Sequence, residues 1–167
     1  IARLQRETAL SQLKAEINLK KPRLVTLQQL QGFARTVVVG GSEEYVMEAL
    51  RSAAEVKAEI KDRSICIIPV VLGGAAQPAN LSELTGLSDP EVLLAPILVD
   101  QWKAWLNQTM DEAGVPGDSN VYVGLRMDGR VRASGKGLPP WKKFIAELTP
   151  KQGIWSNDFM KGFDGRV

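Results

Sequence analysis

Apolar residues recur along this chain in two rhythms. The runs TVVVGG (36–41) and SICIIPVVL (64–72) are nearly continuous and β-branched, the pattern of strands buried on both faces, since a strand with one wet face alternates instead. The second run reads as a central strand. Between them, at about 100° per residue, Val46, Met47, Leu50, Ala53, Ala54 and Ile60 fall on one side of a helix, and Glu44, Glu48, Arg51, Ser52, Glu55 and Glu59 on the other. Lys57 alone intrudes on the apolar side, near the end, where its stem can snorkel. The pattern predicts one helix of about five turns from Ser42 to near Asp62. Strand, helix and strand make a βαβ unit, with parallel neighbours and a right-handed crossover.

The flanking segments are less regular. Residues 1–20 are charged, with Leu4, Leu10, Leu13 and Ile17 interspersed, and read as an arm or short helix. In LVTLQQLQG, Leu24, Leu27 and Leu30 are spaced by three and Gly32 closes a helical turn. GGAAQPANLSELTGLSDPE reads as an inserted loop over 73–92, and VLLAPILV as extended, because Pro96 opposes helix. Asp100 is the expected N-cap of a helix through Met110, closed by Gly114, with Trp102, Trp105, Leu106 and Met110 on its core side. NVYVGLRMDGRVRAS predicts a hairpin turning at Asp128 and Gly129 in a type I′ turn. A final helix follows, with Pro140 in its first turn and Trp141, Phe144, Ile145 and Leu148 inward.

Composition adds mainly exclusions. The 167 residues, 44% hydrophobic and 24% charged, suit one globular, soluble domain. A net charge of +2 does not suggest nucleic acid. The absence of histidine removes histidine triads, most zinc sites and imidazole acid-base chemistry, so no metal or cofactor is expected. Cys66 is the only cysteine, which rules out an internal disulfide, and its neighbours make it read as an inert core residue. The chain starts at Ile1, without a visible leader, and is expected to be a piece of a longer protein.

The order βαβ, insertion, ββα resembles the thioredoxin-like layout, and VTLQQLQGFARTVVVGG with VYVGLRMDGRVRASGKG resembles its peroxiredoxin branch. The resemblance implies a mixed α/β sheet flanked by helices. Redox-active members carry a cysteine near the start of the helix after the first core strand, where the dipole favours a thiolate. Here that stretch is Gly40, Gly41, Ser42, Glu43, Glu44, Tyr45 and Val46, without a thiol. Ser42 reads as a helix cap, and the two glutamates already occupy the favourable field. The proline that active thioredoxins place before the hairpin strand is also missing, Ser119 and Asn120 standing before Val121. The expectation is a thioredoxin-like fold without redox cysteines that is not an enzyme.

LQGFARTVVVGGSEEYVMEAL, VYVGLRMDGRVRASGKGLPPW and the ending FDGRV resemble the C-terminal region of the low-photosystem-II-accumulation assembly factors, thylakoid proteins of plants and algae. Members carry tetratricopeptide repeats and transmembrane helices ahead of this region and assist photosystem II biogenesis around the D1 subunit. The resemblance therefore implies a membrane-anchored parent upstream of Ile1, a stromal position in the chloroplast, and photosystem II subunits or intermediates as partners. The corresponding division is 1–20 arm or helix, 21–152 thioredoxin-like domain, and 153–167 tail.

The expected contact residues are Arg126, Arg130, Arg132, Lys136, Lys142 and Lys143, with Pro139, Pro140 and Trp141 beside them, and Trp155, Phe159 and Phe163 in the tail. Alternation lets Arg126, Arg130 and Arg132 share one face of the hairpin. The main expectation is a non-catalytic protein-binding domain. The alternatives are a one-cysteine thiol oxidoreductase or peroxidase using Cys66, and a structural spacer.

Overall fold

The computed structural model describes residues 2–73, 81–117 and 119–149. Helix α1 (Ala2–Ser11) leads into β1 (Lys14–Ile17), which pairs antiparallel with β2 (Arg23–Thr26). Helix α2 (Leu27–Leu30) opens on a capping box, in which Thr26 Oγ1 accepts from Gln29 N–H and Gln29 Oε1 accepts from Thr26 N–H. Of the three spaced leucines, Leu27 and Leu30 are buried, whereas Leu24 lies in β2 and points outward because Val25 takes the inner face.

Strand β3 (Arg35–Gly41) continues through α3 (Glu43–Ala54) and α4 (Lys57–Asp62) to β4 (Ile65–Val71), parallel to β3 and in register from Arg35 opposite Ile65 to Gly41 opposite Val71. The βαβ unit is present, but its helix is two helices. Val56 leaves helical geometry at φ −126° and ψ 30°. An unbroken helix would carry Lys57 onto the side that holds Val46, Leu50 and Ala53; the break leaves Lys57 exposed while Ile60 stays fully buried.

The segment expected as a loop contains α5 (Leu81–Thr85) and the buried Leu87 and Val92; residues 74–80 of it lie outside the described residues. Strand β5 (Ala95–Ile97) joins the other edge of β1, giving a small antiparallel sheet in the order β2-β1-β5. Helix α6 (Val99–Glu112) is capped by Leu98, in the left-handed region at φ 55°, and not by Asp100, which sits in the first turn where its carboxylate meets the helix dipole.

The hairpin strands β6 (Val121–Leu125) and β7 (Val131–Lys136) and the last helix α7 (Trp141–Glu147) complete the second sheet, ordered β4-β3-β6-β7. Strand β4 is buried throughout yet outermost, not central. Its outer edge is covered by a single bridge, where Ile67 N–H donates to Val92 O (2.6 Å) and Leu94 N–H to Ile67 O (3.0 Å). Pro69, two residues beyond Ile67, turns its missing donor to that same edge.

The hairpin turn is also not the expected type I′. Gly129 is left-handed at φ 86° but Asp128 is not, and Arg126 N–H donates to Arg130 O across a three-residue loop. Asp128 Oδ1 accepts from Arg130 N–H, which supplies locally what a second left-handed residue would have supplied.

Side chains from the two faces of the large sheet form two cores. Val38, Cys66, Val123 and Leu125 meet Trp102, Trp105 and Leu106 of α6 on one face; Val37, Val39 and Ile67 meet Val46 and Leu50 of α3 and Trp141 and Phe144 of α7 on the other. The tryptophan pair is core, as expected, and its indoles are satisfied: Trp102 Nε1 donates to Lys14 O and Trp105 Nε1 to Arg6 O, both at 2.9 Å. Among the described residues no helix is long and apolar enough to cross a membrane.

Candidate functional site at the start of α3

Glycine at position 41 lets β3 end against the chain that precedes β6. A Cβ there would crowd Tyr45 Cδ2 at 2.8 Å and Asn120 Cα at 3.0 Å. The space left by its absence admits the Asn120 side chain, whose Oδ1 accepts from Ser42 N–H at 2.9 Å. Ser42 caps α3 as expected, its Oγ accepting from Tyr45 N–H at 3.2 Å. Ser42→Ala is expected to cost about 1 kcal/mol in urea unfolding, with Ser42→Asn largely retaining the cap.

Tyr45 is buried, and its hydroxyl donates to Gly137 O at 2.7 Å, tying α3 to the end of the hairpin. Burial, with Tyr122 nearby, raises the Tyr45 pKa well above the ordinary phenol value, so this donor persists across the working pH range. Around these bonds lies an open pocket of about 580 Å³ whose lining includes Ser42, Glu44, Tyr45, Asn120, Lys136 and Leu138. Glu43 and Glu44 fill the first turn of α3, and Glu44 and Glu48 line the pocket together with Lys136 of β7, so it presents both charge signs beside backbone.

Cys66 is elsewhere. It pairs in register with Thr36, whereas the α3 start follows Gly41, so it lies about 16 Å away along the strand at ~3.3 Å per residue. It is fully buried, with Thr36 Oγ1 at 3.4 Å from its sulfur. Burial pushes its thiol pKa up to about 12 against the smaller opposing effect of the Thr36 hydrogen bond. Because the folded pKa is raised, the stability contributed by neutral Cys66 is complete below the ordinary thiol value of about 8.5 and is lost as pH climbs towards about 12. Unfolding midpoints across that alkaline window should fall less steeply in Cys66→Ala than in the parent.

The basic hairpin does not form one face. Arg126 is exposed and paired with Asp128 at 2.9 Å, and Arg130 is exposed at the turn. Arg132 is the extra residue of a bulge, since Leu125 opposes Val131 while Gly124 opposes Ala133. The bulge re-aims it: Nη2 meets Glu147 Oε1 at 2.7 Å, and the guanidinium carbon lies 5.7 Å from the centre of the Phe144 ring. Lys136, Lys142 and Lys143 are exposed, and Pro140 is half-buried at the start of α7. Pro139 and Trp141 are buried, which removes them from any contact surface; Trp141 Nε1 donates to Ser52 Oγ at 3.0 Å and to Ala49 O at 3.2 Å. Trp155, Phe159 and Phe163 lie outside the described residues. Among the described residues, no group of acidic or cysteine side chains is placed to hold a metal ion.

No family model matches the chain. Solved structures do. Peroxiredoxin Q of Xanthomonas campestris superposes with a TM-score of 0.57 at 13% identity, covering 83% of this chain and 90% of its own. BsSco, a member of the Sco family of cytochrome c oxidase assembly proteins in which a disulfide switch was identified, gives 0.54 at 12%, covering 81% and 89%. A cysteine mutant of peroxiredoxin 6 of Arenicola marina gives 0.52 at 10% over 73% of this chain, which spans 63% of that protein. The fold is thioredoxin-like. At these identities the likeness is one of fold, and it corrects the expectation that the chain is not an enzyme: the scaffold is one that peroxiredoxins use, so the fold gives no ground for excluding catalysis.

Proposed function

We propose that this thioredoxin-like domain binds protein chains at the α3 start, as part of an assembly factor of the low-photosystem-II-accumulation type. In this reading it faces the chloroplast stroma from a thylakoid-anchored parent and contacts photosystem II subunits or intermediates, D1 among them. The carrying observation is the open pocket beside Ser42, where the described structure offers backbone, carboxylates and a lysine to a polypeptide and no sulfur. BsSco, which shares the fold, belongs to a family of cytochrome c oxidase assembly proteins, and this supports an assembly role. The test is recovery of photosystem II intermediates from thylakoid extracts by the parent protein, against Glu44→Lys and Lys136→Glu variants. Recovery should fall severalfold; undiminished recovery with folded variants removes this pocket as the binding surface.

A second reading is favoured by the redox proteins that share the fold: a one-cysteine thiol oxidoreductase acting through Cys66. It requires the thiol, fully buried on β4 in the core beneath α6 with a raised pKa, to become accessible during turnover. Timed labelling of the native protein with a thiol reagent separates the readings. Modification as fast as that of the unfolded chain supports the redox role, and protection throughout peroxide exposure rejects it.

A further inference from the structure

Arg35 opens β3 with only 8% of its surface exposed, and its Nη1 donates to Arg63 O (2.5 Å) and Thr149 O (3.1 Å). Neither acceptor carries charge. Arg63 is held in the same way, Nε donating to Ile145 O at 2.8 Å and Nη1 to Glu59 O at 3.2 Å. Arg132 reaches the same stretch of chain through Glu147. The three guanidinium groups thus converge on residues 145–149, at the end of the sheet opposite the α3 pocket.

The structural role of these bonds is plain: arginine donors satisfy the carbonyls that the end of α7 leaves unpaired. That role uses part of each fork. In Arg35, Nε and Nη2 bond nothing among the described residues, yet no buried side-chain nitrogen there lacks a partner, so these donors are not sealed from solvent. Arg63 keeps Nη2 free in the same sense. Glu147 neutralises Arg132, while neither Arg35 nor Arg63 forms an ion pair with a described carboxylate, the exposed Glu59 and Asp62 of α4 included. A nearly buried cation such as Arg35 that has no ion-pair partner among the described residues is costly, and the half-buried Arg63 beside it adds to the cost. The arginine pKa of Arg35 is lowered accordingly, by burial first and then by Arg132 and Arg63.

The geometry points to an oxyanion site at Arg35 and Arg63, flanked by Arg132, whose ligand is a phosphate-type dianion. Glu147 pairs Arg132, so Arg35 and Arg63 are the two guanidinium groups left without an ion-pair partner among the described residues, offset only at a distance by the exposed Glu59 and Asp62, and a dianion can answer both where a single carboxylate answers one. The rigid, partly used forks suit a tetrahedral oxyanion that accepts from two planes at once.

The full chain titrated with inorganic phosphate, against sodium chloride at matched ionic strength, is expected to show a saturable rise in thermal midpoint and a shift of the Arg35 Nε–H resonance. Arg63→Gln should weaken that saturation about tenfold or more, whereas Lys20→Gln, an exposed cation in the turn between β1 and β2 of the small sheet, should leave it unchanged. Sodium acetate in place of phosphate separates the ligand sources, and weaker saturation by acetate is the expected result. A non-saturating rise, equal loss in both variants, or acetate binding as tightly as phosphate overturns the proposal. If Arg63→Gln does not fold, Arg63→Lys, which keeps the charge without the fork, together with the wild-type Arg35 resonance carries the same decision.

Discussion

Trp102→Ala is expected to lower the unfolding free energy by about 3–5 kcal/mol, the range for deleting a large aromatic from a close-packed core. Trp102 is fully buried on α6, packed with residues of β1, β3 and β4, and its indole N–H is satisfied by Lys14 O of β1. One side chain therefore fastens the small sheet to the large one. Losing it opens a cavity at that junction and removes one of the donors to Lys14 O, which keeps its place in the β1–β5 ladder opposite Ile97, and the small sheet has only short strands with which to resist. Trp102→Phe separates the two effects: the volume loss is modest, and the lost hydrogen bond should account for about 0.5–1.5 kcal/mol, since Lys14 O keeps its β5 partner. Urea unfolding followed by far-ultraviolet dichroism measures both. A Trp102→Ala protein as stable as the parent would mean that the sheets do not depend on this contact.

The second large effect is expected at Gly41. Gly41→Ala places a methyl group against Tyr45 and Asn120, where the nearest backbone atom would stand 3.0 Å away, and overpacking of this kind costs about 1–3 kcal/mol. The functional loss should exceed the loss of stability. Asn120 has to withdraw, which breaks its bond to Ser42 N–H and reshapes the pocket at the start of α3. Recovery of partner chains should drop to background in a variant that still unfolds cooperatively. Asn120→Ala on the Gly41→Ala background is the internal check, since removing the clashing side chain should restore much of the stability without restoring the lost hydrogen bond. If Gly41→Ala alone binds normally, the α3 start is not the working surface.

Much of the fold is legible in local pattern. The β-branched runs at 36–41 and 64–72 are strands, the apolar stripe through Val46, Leu50 and Ala53 faces the core, and Trp102, Trp105, Leu106 and Met110 line the inner side of α6. The departures share a cause. The helix break at Val56, the bulge at Arg132 and the left-handed Leu98 each answer a demand from a neighbouring element, and a periodicity count contains no term for the neighbour. The site shows the same division. Ser42 announces itself as a cap because capping is a local bargain between a side chain and the next few amides, whereas Tyr45 and Asn120 join it only when β6 has come to lie beside β3.

Taken alone, the order of residues determined which segments extend, which coil and which face each hides, because those properties depend on neighbours within a few positions. It also determined that any thiol chemistry has only Cys66 to use. Folding decided that Cys66 is sealed in the core, that Trp141 and Pro139 are interior while Lys136 looks onto a pocket, and that Arg35, Arg63 and Arg132 meet around the end of α7. Those outcomes turn on distances between residues 15 to 114 positions apart, and such distances exist only after the sheet has closed and the helices have packed against it.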